Sequence, residues 1–157
     1  MPSKQSPGKN NYPFTDDSTR LRMLSLSDFS KNSNCIISDY ELKSNKIPSY
    51  TIDAIKYLKD QFNNSKIYIA LGLDQFNDLH KWYKSSELVE LVEIICFNRM
   101  KNFINNKLSI KYEFIEDFDY NISSSEIRSL IKNNNDKAKD MVNKNIFNYI
   151  MKCKLYR

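Results

Sequence analysis

Ile67-Tyr68-Ile69-Ala70-Leu71, closed by Gly72, is the stretch on which the fold reading turns. A continuous apolar run of this length, ending in a glycine, suits a buried strand of a parallel sheet covered on both faces. Val92-Glu93-Ile94-Ile95-Cys96-Phe97 repeats the pattern, with Asn98 and Arg99 at its carboxyl end. Between the two runs, Asp74 to His80 reads as a short helix. Lys81-Trp82-Tyr83-Lys84 and a helical stretch from Ser86 to Leu91 follow. Downstream, residues 100–111 are a polar, Asn-rich excursion before a strand over Tyr112 to Ile115. Ser123-Ser124-Ser125-Glu126 opens a helix to about Lys132, and a last helix runs from about Lys139 to Met151. Upstream, Ser49-Tyr50-Thr51 caps a helix whose apolar stripe is Ile52, Ile55, Leu58 and Phe62. Cys35-Ile36-Ile37-Ser38 reads as a further short strand, and before it Asp16-Asp17-Ser18 offers acids and a cap to a helix running to about Phe29. Strands alternate with helices, the signature of an α/β fold with a parallel sheet.

Composition narrows the chemistry. The chain has 157 residues, a net charge of +5 and enough apolar sequence for one compact domain. Its two glycines, Gly8 and Gly72, lie too far apart for a dinucleotide fingerprint or a Walker A loop. One histidine, His80, excludes paired-histidine zinc and catalytic motifs. Three scattered cysteines, Cys35, Cys96 and Cys153, point to reduced, mostly buried thiols and a cytoplasmic protein. No apolar run approaches the about 18 residues of a membrane span, and the first residues lack the apolar centre of a signal peptide. The lysines are dispersed among acids and Asn, so a solvated surface is favoured over a nucleic-acid face.

In parallel sheets, ligands bind beyond the carboxyl ends of the strands. Several polar and aromatic groups fall there. Ser123 and Glu126 have capping-box spacing, and a helix start with unpaired N–H groups favours an anion. Ser124 and Ser125 add hydroxyls, and Arg128 can clamp a phosphate with two parallel hydrogen bonds. The competing reading is an ordinary cap with a surface arginine. Pro48-Ser49-Tyr50-Thr51 places hydroxyls at a second helix start, a seat sized for a carboxylate or a plain cap. Trp82, the single tryptophan, can stack on a planar cationic ring or fill a core hinge. Asp74 can accept bonds from a ribose or cap the helix after Gly72.

Taken in order, these pieces closely resemble bacterial nicotinate-nucleotide adenylyltransferases. The resemblance is carried by Pro7-x-Lys9, Arg20-x-x-Met23-Leu24, Glu41-Leu42, Ser49-Tyr50-Thr51, Gly72-x-Asp74, Trp82-Tyr83, Arg99 and Ile122-Ser123-Ser124-Ser125-x-Ile127-Arg128. Tyr149-Ile150 and Leu155-Tyr156 extend it to the end of the chain. It implies a Rossmann-like nucleotidyltransferase fold, a parallel sheet with helices on both faces, in one domain spanning residues 1–157. It also implies adenylyl transfer from ATP to nicotinate mononucleotide, with Mg²⁺, giving deamido-NAD and pyrophosphate in NAD biosynthesis. By the same resemblance, Gly72, Asp74, Ser123, Ser124, Ser125 and Arg128 hold ATP. Lys9, Thr51, Trp82 and Tyr83 hold the mononucleotide: Thr51 and Tyr83 through backbone N–H groups on its carboxylate, Trp82 through its ring, and Lys9 near the phosphates. The partners implied are these two small molecules, with no nucleic acid and no membrane.

The chain departs from the family in one large respect. The glycine-rich turn with a His-x-Gly-His pair is absent, so no catalytic residue is assigned. The missing portion has the size of a strand, a helix and most of a second strand. The expectation is that Met1 is an internal methionine or that the chain is N-terminally truncated, and that it is poorly stable and nearly inactive alone. Smaller departures are Gly8 before Lys9, Leu73 in place of a small residue, and Met100-Lys101 after Arg99. Two rival readings are a non-catalytic nucleotide-binding remnant of the family and a basic nucleic-acid-binding module.

Overall fold

The computed structural model describes residues 1–7, 15–97, 104–116 and 122–157. In chain order its elements are α1 (Asp17–Ser25), a 3-10 turn (Asp28–Lys31), α2 (Tyr40–Lys43), α3 (Thr51–Gln61), β1 (Tyr68–Gly72) and α4 (Leu73–Asn77). A second 3-10 turn (Leu79–Lys81), α5 (Ser85–Leu91), β2 (Glu93–Phe97), β3 (Tyr112–Ile115), α6 (Ser124–Lys132), α7 (Ala138–Met141) and α8 (Lys144–Lys152) complete them. The chain divides into two compact units. One comprises Met1–Ser49 with Ile122–Arg157, and the other Tyr50–Asn121.

The second unit holds a parallel sheet in the order β1-β2-β3. Ala70 pairs with Ile95, and Ile95 with Glu113, so equivalent positions of all three strands share a face. Leu71, Ile94 and Cys96 face a core completed by Ile52 and Ile55 of α3, Leu73 and Phe76 of α4, Leu79, and Leu88 of α5. Phe76, Leu79, Leu88 and Cys96 are wholly enclosed. Phe76 also lies against the Tyr112 ring of β3, with centroids 4.9 Å apart. On the opposite parity Tyr68 and Ala70 are exposed, although the unbroken apolar run suggested a covered strand. β1 is an edge strand in this sheet, with Tyr68 half exposed.

The first unit packs helix on helix. Ile131 of α6, Ala138 of α7 and Ile150 of α8 form its buried centre, with Met23 of α1, Ile127, Phe147 and Tyr156 against them. Asp16 caps α1 by accepting from Thr19 N–H at 2.8 Å, and its carboxyl also takes the Ser18 and Thr19 hydroxyls. Those bonds hold the Asp16 carboxyl well below the ordinary carboxylate range. Arg20 ties the amino-terminal segment to α1, donating to the Ser3 carbonyl and pairing with Asp17.

Four readings of the sequence need correction. Residues 35–38 form no regular element and pair with no strand among the described residues, and Ile36 is 79% exposed. Four strand-forming residues do not make a strand without a neighbouring edge. Phe62 lies beyond the end of α3 and is half exposed, because Asn64 adopts φ 67° and turns the chain. The last helix is two helices. Asn143 breaks it by accepting from Asn145 N–H at 2.9 Å and Ile146 N–H at 3.4 Å. Of the cysteines, only Cys96 is buried, while Cys35 and Cys153 are exposed.

Burial, and then the nearby Asp74 carboxylate, push the Cys96 thiol up to about 11. In the folded protein an aromatic disulfide reagent at pH 8 should therefore titrate Cys35 and Cys153 and leave Cys96 for the denatured chain. Phe76→Ala empties the centre of the second unit and should cost about 3–5 kcal/mol in denaturant unfolding.

Candidate functional site

At the carboxyl end of β1 the chain turns directly into α4. Gly72 is the last strand residue and the N-cap of the helix, with no side chain capping it. Asp74 therefore does not cap α4, one of the two roles open to it from sequence. Its carboxylate is exposed and bends back over the glycine. A Cβ built on Gly72 would lie 2.7 Å from Asp74 Oδ1. The glycine leaves room for this close approach, and its φ of −70° is open to any residue. The other oxygen, Oδ2, accepts from Gln75 Nε2 at 3.0 Å. Leu73 points into the core at 5% exposure, so its bulk fills the interior rather than a nucleotide pocket.

A second cluster joins the start of α3 to the turn before α5. Tyr50 is the N-cap of α3, no side chain caps its first turn, and Thr51 is the first helical residue. Ser49 is not the cap that the sequence suggested. It is buried, its hydroxyl accepts from Lys4 N–H at 3.2 Å, and its own N–H donates to the Gln5 carbonyl at 2.9 Å. The Tyr50 and Tyr83 rings stack with centroids 4.4 Å apart and planes tilted 34°. Lys84, at φ 52°, makes the left-handed turn into α5, and its Nζ lies 5.6 Å from the Tyr83 ring centre. Trp82 is half-buried and packs its ring against the core, while Tyr83 is 51% exposed. Thr51 and Tyr83 are thus brought to one corner, with Trp82 beside them in the chain.

A third cluster lies in the first unit. Ser123 caps α6, its Oγ accepting from Glu126 N–H at 3.1 Å. Arg128, half-buried one turn on, donates from Nη2 to Ser125 Oγ at 3.2 Å. Ser123, Ser124 and Ser125 are all exposed. The arginine and the serines that the sequence grouped therefore do share one helix end. Lys9 and Arg99 lie outside the described residues. His80 is a packing residue: its Nδ1–H donates to the Asn77 carbonyl at 2.9 Å.

Two features had little sequence signal. Tyr50 sat unassigned between two hydroxyl residues. In the Asn-rich excursion, Asn106 Nδ2 donates to the Phe76 carbonyl at 2.7 Å, and Asn77 Oδ1 accepts from Asn105 N–H at 2.8 Å. These bonds clamp the loop onto the end of α4. An open groove of about 550 Å³ lies at the amino ends of the strands, lined by Lys66, Ile67, Leu91, Glu93, Ile110 and Lys111 among others. It contains none of the candidate residues. Glu41 is half-buried; burial pushes its carboxyl up, and the N-terminal ammonium partly offsets this.

Residues 1–130 match the Cytidylyltransferase-like family. A probable nicotinate-nucleotide adenylyltransferase of Staphylococcus epidermidis is 33% identical over 155 residues, covering 96% of this chain and 76% of that protein. The chain belongs to the nicotinate-nucleotide adenylyltransferase family. Two solved structures agree with the assignment, both of the Plasmodium falciparum nicotinic acid mononucleotide adenylyltransferase. The complex with APC superposes with TM-score 0.69 at 26% identity, covering 90% of this chain and 76% of that one. The complex with NaAD gives TM-score 0.71 at 26% identity, covering 94% and 78%. The parallel sheet and flanking helices are thus the Rossmann-like nucleotidyltransferase fold.

In this adenylyltransferase family member, Gly72→Ala must displace the Asp74 carboxylate, because a Cβ cannot share its position. The variant should keep its denaturant unfolding midpoint near that of the unaltered chain, because the exposed Asp74 side chain can rotate away. Ser123→Ala removes the α6 cap and should cost about 1 kcal/mol in denaturant unfolding.

Proposed function

We propose that the three clusters divide the substrates of one adenylyl transfer between them. ATP and nicotinate mononucleotide are joined to give deamido-NAD and pyrophosphate. The observation that carries the reading is the match to a nicotinate-nucleotide adenylyltransferase along 96% of the chain. Gly72 and Asp74 take the adenosine side. Ser123, Ser124, Ser125 and Arg128 take the phosphates. Lys9, Thr51, Trp82 and Tyr83 take the mononucleotide.

The physical fit supports this division. The reaction is attack by a mononucleotide phosphate oxygen on the α-phosphorus of ATP. One P–O bond forms, and the bond to the leaving pyrophosphate breaks. No covalent enzyme intermediate is required; the enzyme aligns the reactants and neutralises about four negative charges. The capped start of α6 offers backbone N–H groups, a partial positive charge and three hydroxyls beside a permanently charged guanidinium. The pyridine ring is cationic once N-glycosylated, so stacking on Trp82 gains a cation–π contribution. Its carboxylate finds the uncapped first turn of α3 at Thr51.

Among the described residues no group of three or more His, Cys, Asp or Glu side chains could hold a metal ion. The reading takes Mg²⁺ to enter with the ATP substrate, on phosphate oxygens and water, where it would offset phosphate charge.

The test is direct. The chain, ATP, Mg²⁺ and nicotinate mononucleotide should yield deamido-NAD and pyrophosphate in equal amounts, resolved by anion-exchange chromatography, at the low rate expected of a chain without the family's His-x-Gly-His turn. Arg128→Ala should lower kcat/KM for ATP by roughly ten- to a hundredfold. Mononucleotide binding with no dinucleotide formed would instead favour a nucleotide-binding remnant. Failure to bind either substrate would overturn the reading.

A further inference from the structure

The aromatic corner contains a residue to which the reading above gives no task. Tyr50 lies between the two backbone segments assigned to the substrate carboxylate. Thr51 is its neighbour in the chain, and its ring stacks on Tyr83. We propose that Tyr50 is a positioning residue for substrate choice: its ring holds the Tyr83 N–H in register with the Thr51 N–H, so that the pair accepts a carboxylate and rejects a carboxamide. This rests on the function proposed above.

The two N–H groups belong to segments far apart in sequence. Neither donates to another group among the described residues. Their neighbours are tied down. The Tyr50 carbonyl accepts from Asp53 N–H at 3.0 Å, which locks the entry to α3. Around Tyr83, Trp82 N–H donates to the Leu79 carbonyl at 3.0 Å, and Ser85 N–H donates to the Trp82 carbonyl at 3.1 Å. The turn then passes through Lys84 at φ 52°, a conformation that costs energy in a non-glycine residue and needs support from outside. That support is the stack. The Tyr50 ring is half-buried against the core formed by Ile52, Phe76 and their neighbours, so it is a fixed surface on which the exposed Tyr83 ring settles. The Lys84 ammonium adds a cation to the Tyr83 ring and pairs loosely with Glu87 at 3.8 Å.

Chemistry supplies the rest. A carboxylate has an acceptor oxygen for each of two N–H groups. A carboxamide has one acceptor, and its NH₂ must face the other N–H, leaving a donor unpaired. Discrimination of this kind is effective only if the two donors keep their spacing. If the Tyr50–Tyr83 stack were core packing alone, its loss would weaken every ligand alike.

The experiment follows the fluorescence of Trp82, the only tryptophan, during titration with nicotinate mononucleotide and, separately, nicotinamide mononucleotide. The unaltered chain should prefer the acid. Tyr50→Ala and Tyr50→Leu should lose roughly tenfold of that preference, chiefly through weaker acid binding, while Tyr50→Phe keeps it. Tyr50→Leu retains apolar bulk over the core, so it reports even where Tyr50→Ala unfolds. ATP affinity should stay within about twofold in every folded variant. A preference unchanged in Tyr50→Leu, or an equal loss for both mononucleotides and ATP, would overturn the role of Tyr50 and leave the proposed function standing. An unaltered chain that binds neither mononucleotide would overturn the proposed function, and this role with it.

Discussion

The packing of three helices onto one face of β2 is the constraint on which the second unit depends. Ile94 and Cys96 alternate inward, and Phe76, Leu79 and Leu88 close over them without exposure. β2 is the middle strand, so its register fixes β1 on one side and β3 on the other. Sliding any strand by one residue would carry its buried side chains to the opposite face. This rigidity is what gives the turns after the strands defined positions. Gly72 can present Asp74, and Trp82-Tyr83 can meet the start of α3, because the elements on either side are locked in the same core.

Many of the donors at the candidate site are main-chain rather than side-chain groups. The first turn of α3 offers unpaired N–H groups, the Tyr83 turn offers another, and α6 begins with a serine cap and adjacent hydroxyls. Main-chain donors cost no rotamer entropy and carry the partial positive charge of a helix start. Recognition by backbone leaves a faint trace in sequence, because many residue types can supply an N–H. What persists is the chemistry around the donors: a glycine where a carboxylate folds back, hydroxyls at a cap, and aromatic rings that hold a turn.

The legible parts of the chain were those governed by local rules. β3 lies at Tyr112–Ile115 as its composition suggested, and α6 starts after Ser123 as its capping residues required. α3 followed its apolar stripe until Asn64 turned the chain. Other parts were misread because their outcome depends on distant partners. Residues 35–38 look like a strand but pair with none among the described residues. Ser49 looks like a cap, yet its hydroxyl is taken by Lys4. Leu73 stands where the family has a small residue, and the core absorbs its bulk. The Asn106 bond to the Phe76 carbonyl joins residues 30 positions apart, beyond the reach of any local pattern.

The order of residue types along the chain was sufficient to determine the fold class and the family. Alternating apolar strands and amphipathic helices leave few ways to bury their faces, and the motifs after Gly72 and Ile122 fall at defined ends of those elements. Tertiary structure alone decided which neighbours fill which roles: that Asp74 lies over Gly72, that Arg128 meets Ser125, and that Tyr50 stacks on Tyr83. The physical reason is range. Caps, turns and periodicity act over a few residues and can be read along the chain. Contacts within about 4 Å between distant segments arise only when the whole core has closed around them.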